Sequence, residues 1–338
     1  MKNKRIVFTA PYVVELQTED VPHLCAGEVL VKLCVSTISP GTERANLIGD
    51  PNVALNKVAP FPRRGGYSAA GIVAAVGEGV RSVSVGDRVA CVNTNHSQYC
   101  VLKEDLVFPM ENSISMREAA LTHISIFPLA AIRKCRLEIG ESAIVMGLGL
   151  LGLLGVMELR AAGAVPIIAV DPIQSKREQA LSLGADYALD PFAPDFAQTV
   201  KQLTGGGASV ALEITGKGQG LDMVLDCMAP FGRVALLGCT RSSDFSIDYY
   251  RKVHGPGITL VGAHTNARPK QESSAGLWTR SDDCRTILRM LAQKRLNFSL
   301  LLDELHKPEE AVEVFRRLSE EPSFPVVQFD WREGEEIL

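Results

Sequence analysis

Between Ser142 and His264 the chain runs through six short apolar stretches, SAIVMG, PIIAVD, ADYALD, SVALEITG, GRVALLG and ITLVGAH. This run limits the folds open to the chain more than any other feature. Strands buried on both faces of a parallel sheet read as continuous Val/Ile/Leu runs, because neither face meets water. The segments LLGLLGVMELRAAG, SKREQALSLG, PDFAQTVKQLTGGG and LDMVLDCMAP fall between them and read as helices. Strand and helix in alternation predict an α/β domain with a doubly wound parallel sheet.

The first 120 or so residues have a different texture. EVLVKLCVSTIS, GIVAAVGEGV, VGDRVACV and QYCVLKEDLVFPM are short β-type segments, with Gly77, Gly79 and Gly86 at turns. Beyond residue 266 a loop rich in breakers, TNARPKQESSAG, precedes the helical segments SDDCRTILRMLAQKRL and PEEAVEVFRRLSEE and a closing strand FPVVQFDW. The expected organisation is a β-rich domain over 1–123, a Rossmann-type domain over 124–266 and a return segment over 267–338 that packs on the first domain.

A length of 338 residues with 46% hydrophobic content suits two domains with sizeable cores. Lys and Arg number 35 against 39 Asp and Glu, which leaves no basic footprint for nucleic acid. The longest uncharged apolar stretch, Ser142 to Met157, contains four glycines and falls short of the ~20 residues of a membrane helix. The basic start, MKNKRIVFTAPYVVEL, is not followed by a signal-type apolar run. Eight cysteines without a CxxC are expected to be buried, reduced thiols of a cytoplasmic protein.

The sharpest motif is Gly147-Leu148-Gly149-Leu150-Leu151-Gly152, a GxGxxG between the strand SAIVM and an apolar helix. Its context makes it a dinucleotide turn. Gly147 permits the tight turn, Gly149 lets backbone approach a pyrophosphate, Gly152 lets helix and strand close up, and the helix N-terminus favours the phosphates. Asp171 ends the next strand, 24 positions after Gly147. A carboxylate there bonds the adenosine ribose hydroxyls and repels a 2′-phosphate, so the expected cofactor is NAD(H). Lys176 and Arg177 lie a turn or more further on and are the groups that would soften this preference.

With these residues in place the chain resembles the medium-chain dehydrogenase/reductase superfamily of alcohol and sorbitol dehydrogenases. The likeness spans nearly the whole chain through AAGIVAAVGEGVRSVSVGDRVA, EAALTHISIFPLAAIRK, GLGLLG, LGADYALDP, LEITGKG and APFGRVALLG. It implies a GroES-like catalytic domain, a Rossmann domain, a cleft between them and a homodimer or homotetramer. It also implies cofactor contacts from Thr215 and His264.

Zinc-dependent members carry a Cys in an I-C-G-[ST]-D segment, a G-H-E segment, and a Cys or Glu near A-A-L-x-E. Here these read Ser39-Pro40-Gly41-Thr42-Glu43, Gly66-Tyr67-Ser68 and Ala119-Ala120-Leu121-Thr122-His123. Pro40, Tyr67 and Ser68 are not zinc ligands, and His123 alone cannot supply the three that a catalytic zinc needs. CVNTNHSQYC also leaves no room for the family's four-cysteine lobe. The expectation is an enzyme without catalytic metal, similar to a subgroup that includes bacteriochlorophyllide a dehydrogenase and sugar- or cyclitol-linked dehydrogenases.

Hydride chemistry on an alcohol needs a group that takes or gives the hydroxyl proton. The resemblance places Thr42 at the family's proton-relay position and Tyr67 and His123 at former ligand positions, so these three are the catalytic candidates. Glu43, Arg44 and His96 are candidates for holding substrate. The expected reaction is reversible oxidation of a secondary alcohol of a sugar, cyclitol or related polyol to a ketone. The alternatives are a zinc-independent quinone or enone reductase and a dinucleotide-binding protein without turnover.

Overall fold

The computed structural model describes residues 1–53 and 60–333. The chain divides into two compact units, Met1–Ile124 with Cys284–Leu338, and Ser125–Asp283. The first boundary falls one residue past the expected 123. The second falls at 283 rather than 266, and the reason is a set of ties within the second unit. Arg268 donates to the Ile126 carbonyl at 3.1 Å, and Arg268 and Arg133 both bond Asp283. The return segment is therefore shorter than expected, and its last residues, 334–338, lie outside the described ones.

In the first unit β1 (Lys2–Ala10) and β2 (Val13–Asp20) form an antiparallel hairpin. A larger sheet is built on β3 (Glu28–Thr37), whose end leads into the helix α1 (Pro40–Ile48). The sequence reading gives no helix at SPGTER. Pro40 opens it at a position where a missing N–H costs nothing, and Gly49 closes it at φ 79°. The short β4 (Arg63–Arg64) joins the hairpin. In the larger sheet β5 (Ser68–Val76) pairs with β3 and with β6 (Arg88–Val92), β7 (Tyr99–Lys103) pairs with β3, and β8 (Val107–Pro109) pairs with β6. Ile6, Phe8, Val31, Leu33, Val73, Val89, Phe315 and Phe329 meet in the core of this unit. Helices α2 (Met116–Ala119) and α3 (Thr122–Lys134) carry the chain onward.

The second unit is the expected doubly wound sheet. Its strands are β9 (Ala143–Met146), β10 (Ile167–Val170), β11 (Tyr187–Leu189), β12 (Ala208–Glu213), β13 (Met228–Leu236) and β14 (Thr259–Gly262). They lie parallel in the order β11-β10-β9-β12-β13-β14, so the six apolar runs are the six strands. The helix α4 (Leu150–Ala162) follows β9 and stops at Gly163, which takes φ 88°.

Among the described residues no helix is long and apolar enough to cross a membrane. All eight cysteines are free, but only six are buried; Cys25 and Cys239 are exposed, which corrects the expectation of uniformly buried thiols.

One buried charge in α4 breaks the apolar pattern. Glu158 is 2% exposed and neither carboxyl oxygen has a hydrogen-bond partner. Burial, followed by the nearby Asp283 carboxylate, pushes its pKa well above the usual range, with Arg133 pulling the other way. The folded state thus holds a proton that the unfolded chain releases above about pH 4.3. Stability contributed at this site is full below that pH and falls as pH rises toward the folded pKa. Glu158→Met is expected to stabilise the protein by about 1–3 kcal/mol and to flatten this slope, because an unsatisfied buried polar group is replaced by one that needs no partner. Urea midpoints at about pH 5 and about pH 8 check it; a variant that loses stability at both would show that the carboxyl is satisfied.

Candidate functional site

Strand register brings the candidates of the second unit to one edge of its sheet. Val170, Met146, Glu213, Leu236 and Gly262 form one row across β10, β9, β12, β13 and β14. Asp171, Gly147, Thr215 and His264 each follow that row by one or two residues, so all leave the carboxyl ends of their strands. Strand order reverses between β9 and β12, where open α/β sheets leave a crevice at that edge.

Gly147 and Gly152 of the turn are required by the chain's own geometry. Gly147 takes φ 100°, and a Cβ there would stand 3.1 Å from the Thr215 methyl. A Cβ on Gly152 would stand 2.0 Å from the Gly147 carbonyl oxygen, so no side chain fits. At Gly149, the N-cap of α4, a Cβ would meet nothing within 4 Å. The backbone there is open to a ligand, and a helix start offers orphan N–H groups and the positive end of its dipole. The residues present therefore fit a dinucleotide pyrophosphate carried across Leu148, Leu150 and Leu151.

Asp171 is 7% exposed, and its carboxylate is fixed by the Leu148 and Ile173 N–H groups, both at 2.9 Å. The glycine turn and the strand-end carboxylate are thus one construction. Arg177 donates to the Asp171 and Pro172 carbonyls at 2.7 and 2.9 Å, while Lys176 forms no ion pair among the described residues. His264 accepts the Asn266 N–H on Nδ1 at 3.1 Å, and burial, then the Lys134 charge, lowers its pKa, which leaves the ring neutral at pH 7.

Glu213 belongs to this edge and escapes the sequence reading. It is 3% exposed, and its carboxyl accepts the Thr215 N–H at 2.8 Å, the Thr215 hydroxyl, and the Gly216 N–H at 3.3 Å. Burial raises its pKa against those hydrogen bonds. Its role is to shape the loop that carries Thr215. The legible signal was a lone acid closing the apolar strand SVALE.

In the first unit two of the catalytic candidates, Tyr67 and His123, meet, and Tyr67 reaches Ser39 between β3 and α1. Tyr67 is half-buried and its phenol donates to the Ser39 hydroxyl. His123 is 4% exposed; its Nδ1 lies 2.7 Å from the Tyr67 carbonyl oxygen and its ring packs edge-on to the phenol at 5.3 Å. A carbonyl oxygen only accepts, so this short contact calls for a proton on Nδ1, against the longer approach of the Asn93 N–H to the same nitrogen at 3.4 Å. Ser68 accepts the His123 N–H at 3.2 Å and donates to the Ala120 carbonyl at 2.7 Å. Thr42 is half-buried in the first turn of α1.

The three residues expected to hold substrate are employed within the unit. Arg44 donates to the Leu318 and Glu321 carbonyls, both at 2.6 Å, and so ties off the end of the helix over 311–320. Glu43 is 1% and His96 0% exposed, and they bond each other at 2.8 Å. A surface contact with substrate is closed to both side chains. The polar loop NTNHSQ turns its histidine inward because Glu43 and Ser36 await it there. Among the described residues no three His, Cys, Asp or Glu side chains stand together as a metal-holding group.

The sequence profile of the alcohol dehydrogenase GroES-like domain matches residues 25–120, and that of the zinc-binding dehydrogenases matches 151–280. The chain is 30% identical over 345 residues to an L-threonine 3-dehydrogenase of Pyrococcus abyssi, covering 92% of this chain and 94% of the relative. It is 25% identical to a D-guloside 3-dehydrogenase of Escherichia coli, over 89% of this chain and 91% of that one. The crystal structure of galactitol-1-phosphate dehydrogenase from Escherichia coli shares the fold, with a TM-score of 0.84 at 19% identity over 97% and 99% of the two chains. The chain belongs to the medium-chain dehydrogenase/reductase superfamily, among its alcohol and sorbitol dehydrogenase-like members.

Proposed function

We propose that this protein is an NAD-dependent dehydrogenase that oxidises a secondary alcohol of a sugar, cyclitol or related polyol reversibly to a ketone, and that it does so without catalytic zinc. The observation that carries the reading is the Tyr67 phenol bonded to Ser39 beside the His123 ring, with Tyr67 and His123 at the positions that the resemblance assigns to zinc ligands in zinc-dependent members. The bound cofactor takes or gives the hydride. The chain's own work is to hold the alcohol oxygen and move its proton, and Tyr67 is the group assigned to it, with Thr42 and His123 assisting. L-Threonine, sorbitol, butanediol and D-guloside, named in the relatives, are all alcohols, which supports the coarse reaction class.

The test is a panel of those alcohols with inositols and their keto forms, scored by NADH absorbance, on protein purified without chelator. Turnover is expected with far less than one zinc per chain. A stoichiometric zinc whose removal abolishes turnover overturns the reading, and tight NAD binding with no turnover on any member would favour a non-catalytic dinucleotide binder.

Cofactor preference rests on Asp171, and the ties of Arg177 to backbone carbonyls leave it poorly placed to meet a 2′-phosphate. Asp171→Ser is expected to weaken NAD binding about 10- to 100-fold, as expected when charged hydrogen bonds of about 1.5–3 kcal/mol are lost, and to narrow the gap to NADP. Titration of both cofactors against both proteins measures it. If the unaltered protein binds NADP more tightly, Lys176 outweighs the carboxylate and the assignment of NAD fails.

A further inference from the structure

Ser39 occupies the N-cap of α1, yet its side chain does not cap the helix. A serine here ordinarily accepts an N–H from the first turn. This one instead receives the Tyr67 phenol, while its own N–H donates to Glu43 Oε1 at 2.8 Å. Behind Glu43 the bonds continue inward. Glu43 Oε2 lies 2.8 Å from His96 Nε2, His96 Nδ1 lies 2.7 Å from Ser36 Oγ, and Ser36 Oγ accepts the Trp331 indole N–H at 2.8 Å. The chain from Trp331 to Ser39 is buried throughout, and it emerges only at the half-buried phenol.

None of these inner groups can touch a ligand, so the chain is not itself a site. Its consequence is rigidity, since a buried polar network satisfied at every member fixes each of them in one arrangement. We propose that Ser39 is a positioning residue for Tyr67, with the Glu43–His96 pair as the anchor that holds the Ser39 backbone in place. The proposal rests on the reading of Tyr67 as the proton-handling group. A hydroxyl both accepts and donates, so Ser39 bonds the phenol oxygen in either protonation state without moving. Pro40 has no N–H to offer at the first helical position, and the Ser39 hydroxyl is the group in contact with the phenol.

The experiment compares Ser39→Ala and Ser39→Thr, each with Tyr67 intact and in a Tyr67→Phe background, using NAD and the panel alcohol that is turned over. Ser39→Ala is expected to lower kcat about 10- to 100-fold with KM and melting temperature little changed. Ser39→Thr is expected to restore most of it, and Ser39→Ala is expected to add nothing once the phenol is gone. A loss of the same size in both backgrounds, or no loss while Tyr67→Phe is inactive, overturns the positioning role and leaves the reading of Tyr67 standing. Retained turnover in Tyr67→Phe overturns that reading and the positioning role with it. Independently of turnover, protein labelled with 3-fluorotyrosine reports the contact. The ¹⁹F signal that Tyr67→Phe removes is expected to shift or broaden in Ser39→Ala, and an unchanged signal counts against the contact.

Discussion

Tyr67→Phe is expected to cut turnover by about 10²–10⁴-fold while NAD binding stays nearly intact. The structure makes this substitution clean. The His123 contact runs to the Tyr67 backbone carbonyl, which phenylalanine keeps, and the ring still packs edge-on to the imidazole. The hydroxyl and its bond to Ser39 disappear. Losing one such bond in a purely structural role would cost about 0.5–1.5 kcal/mol, no more than about tenfold if it were all felt in the rate. A loss of a hundredfold or more therefore separates chemistry from packing. A free phenol titrates near ~10, so service as a base at neutral pH needs its charged form favoured. A hydroxyl on Ser39 can donate to that charged form. His123→Asn is expected to do less harm, since a side-chain amide can still donate to the Tyr67 carbonyl. Steady-state kinetics on both variants, with cofactor affinity from fluorescence quenching, decide the matter. Near-normal turnover in Tyr67→Phe with its destruction in His123→Asn would make the histidine the catalyst.

The second unit was legible because its signals are local. A buried parallel strand announces itself by an unbroken apolar run, and GLGLLG followed by a strand ending in Asp171 reports a turn in which Gly147 and Gly152 have a steric reason and Gly149 leaves the backbone open. The first unit was less so. The helix α1 has only nine residues and opens with Pro-Gly, so its pattern is that of a turn. Glu43 and His96 are 53 positions apart, and nothing in SPGTER or NTNHSQ shows that each supplies the other's buried partner. Glu43 and His96 read as side chains open to substrate, because a polar residue in a polar string looks solvated until the fold closes over it. Arg44 was misjudged for the same reason: the carbonyls it bonds lie more than 270 positions away.

Asp283→Ala is expected to destabilise the protein by about 3–5 kcal/mol, the cost of leaving buried charge without its partner. The Asp283 side chain is fully buried and bonds Arg133 at 2.9 Å and Arg268 at 3.0 Å. Arg133 also lies over the Trp278 ring at 3.6 Å, and Arg268 donates to the Thr265 and Ile126 carbonyls, so neither guanidinium can swing out to water without breaking further contacts. Burial raises the Asp283 pKa and the two guanidinium groups oppose it. With two charged donors at hydrogen-bond distance the carboxylate stays ionised at neutral pH. Asp283→Asn keeps an acceptor of the same shape but removes the charge, and its cost depends on Glu158. That carboxyl is held neutral by burial and by Asp283, while Arg133 favours its ionisation. Once Asp283 is neutral the repulsion is gone, and the Arg133 charge still favours ionisation of Glu158. Asp283→Asn should therefore cost less in the unaltered protein than in Glu158→Met, by about 1 kcal/mol in a double-mutant cycle. The loss of stability between about pH 5 and about pH 8 should also shrink in Asp283→Asn, because a lower Glu158 pKa narrows the range over which the folded state holds the extra proton. Costs that add to within about 0.5 kcal/mol would show that Glu158 does not respond to its neighbour.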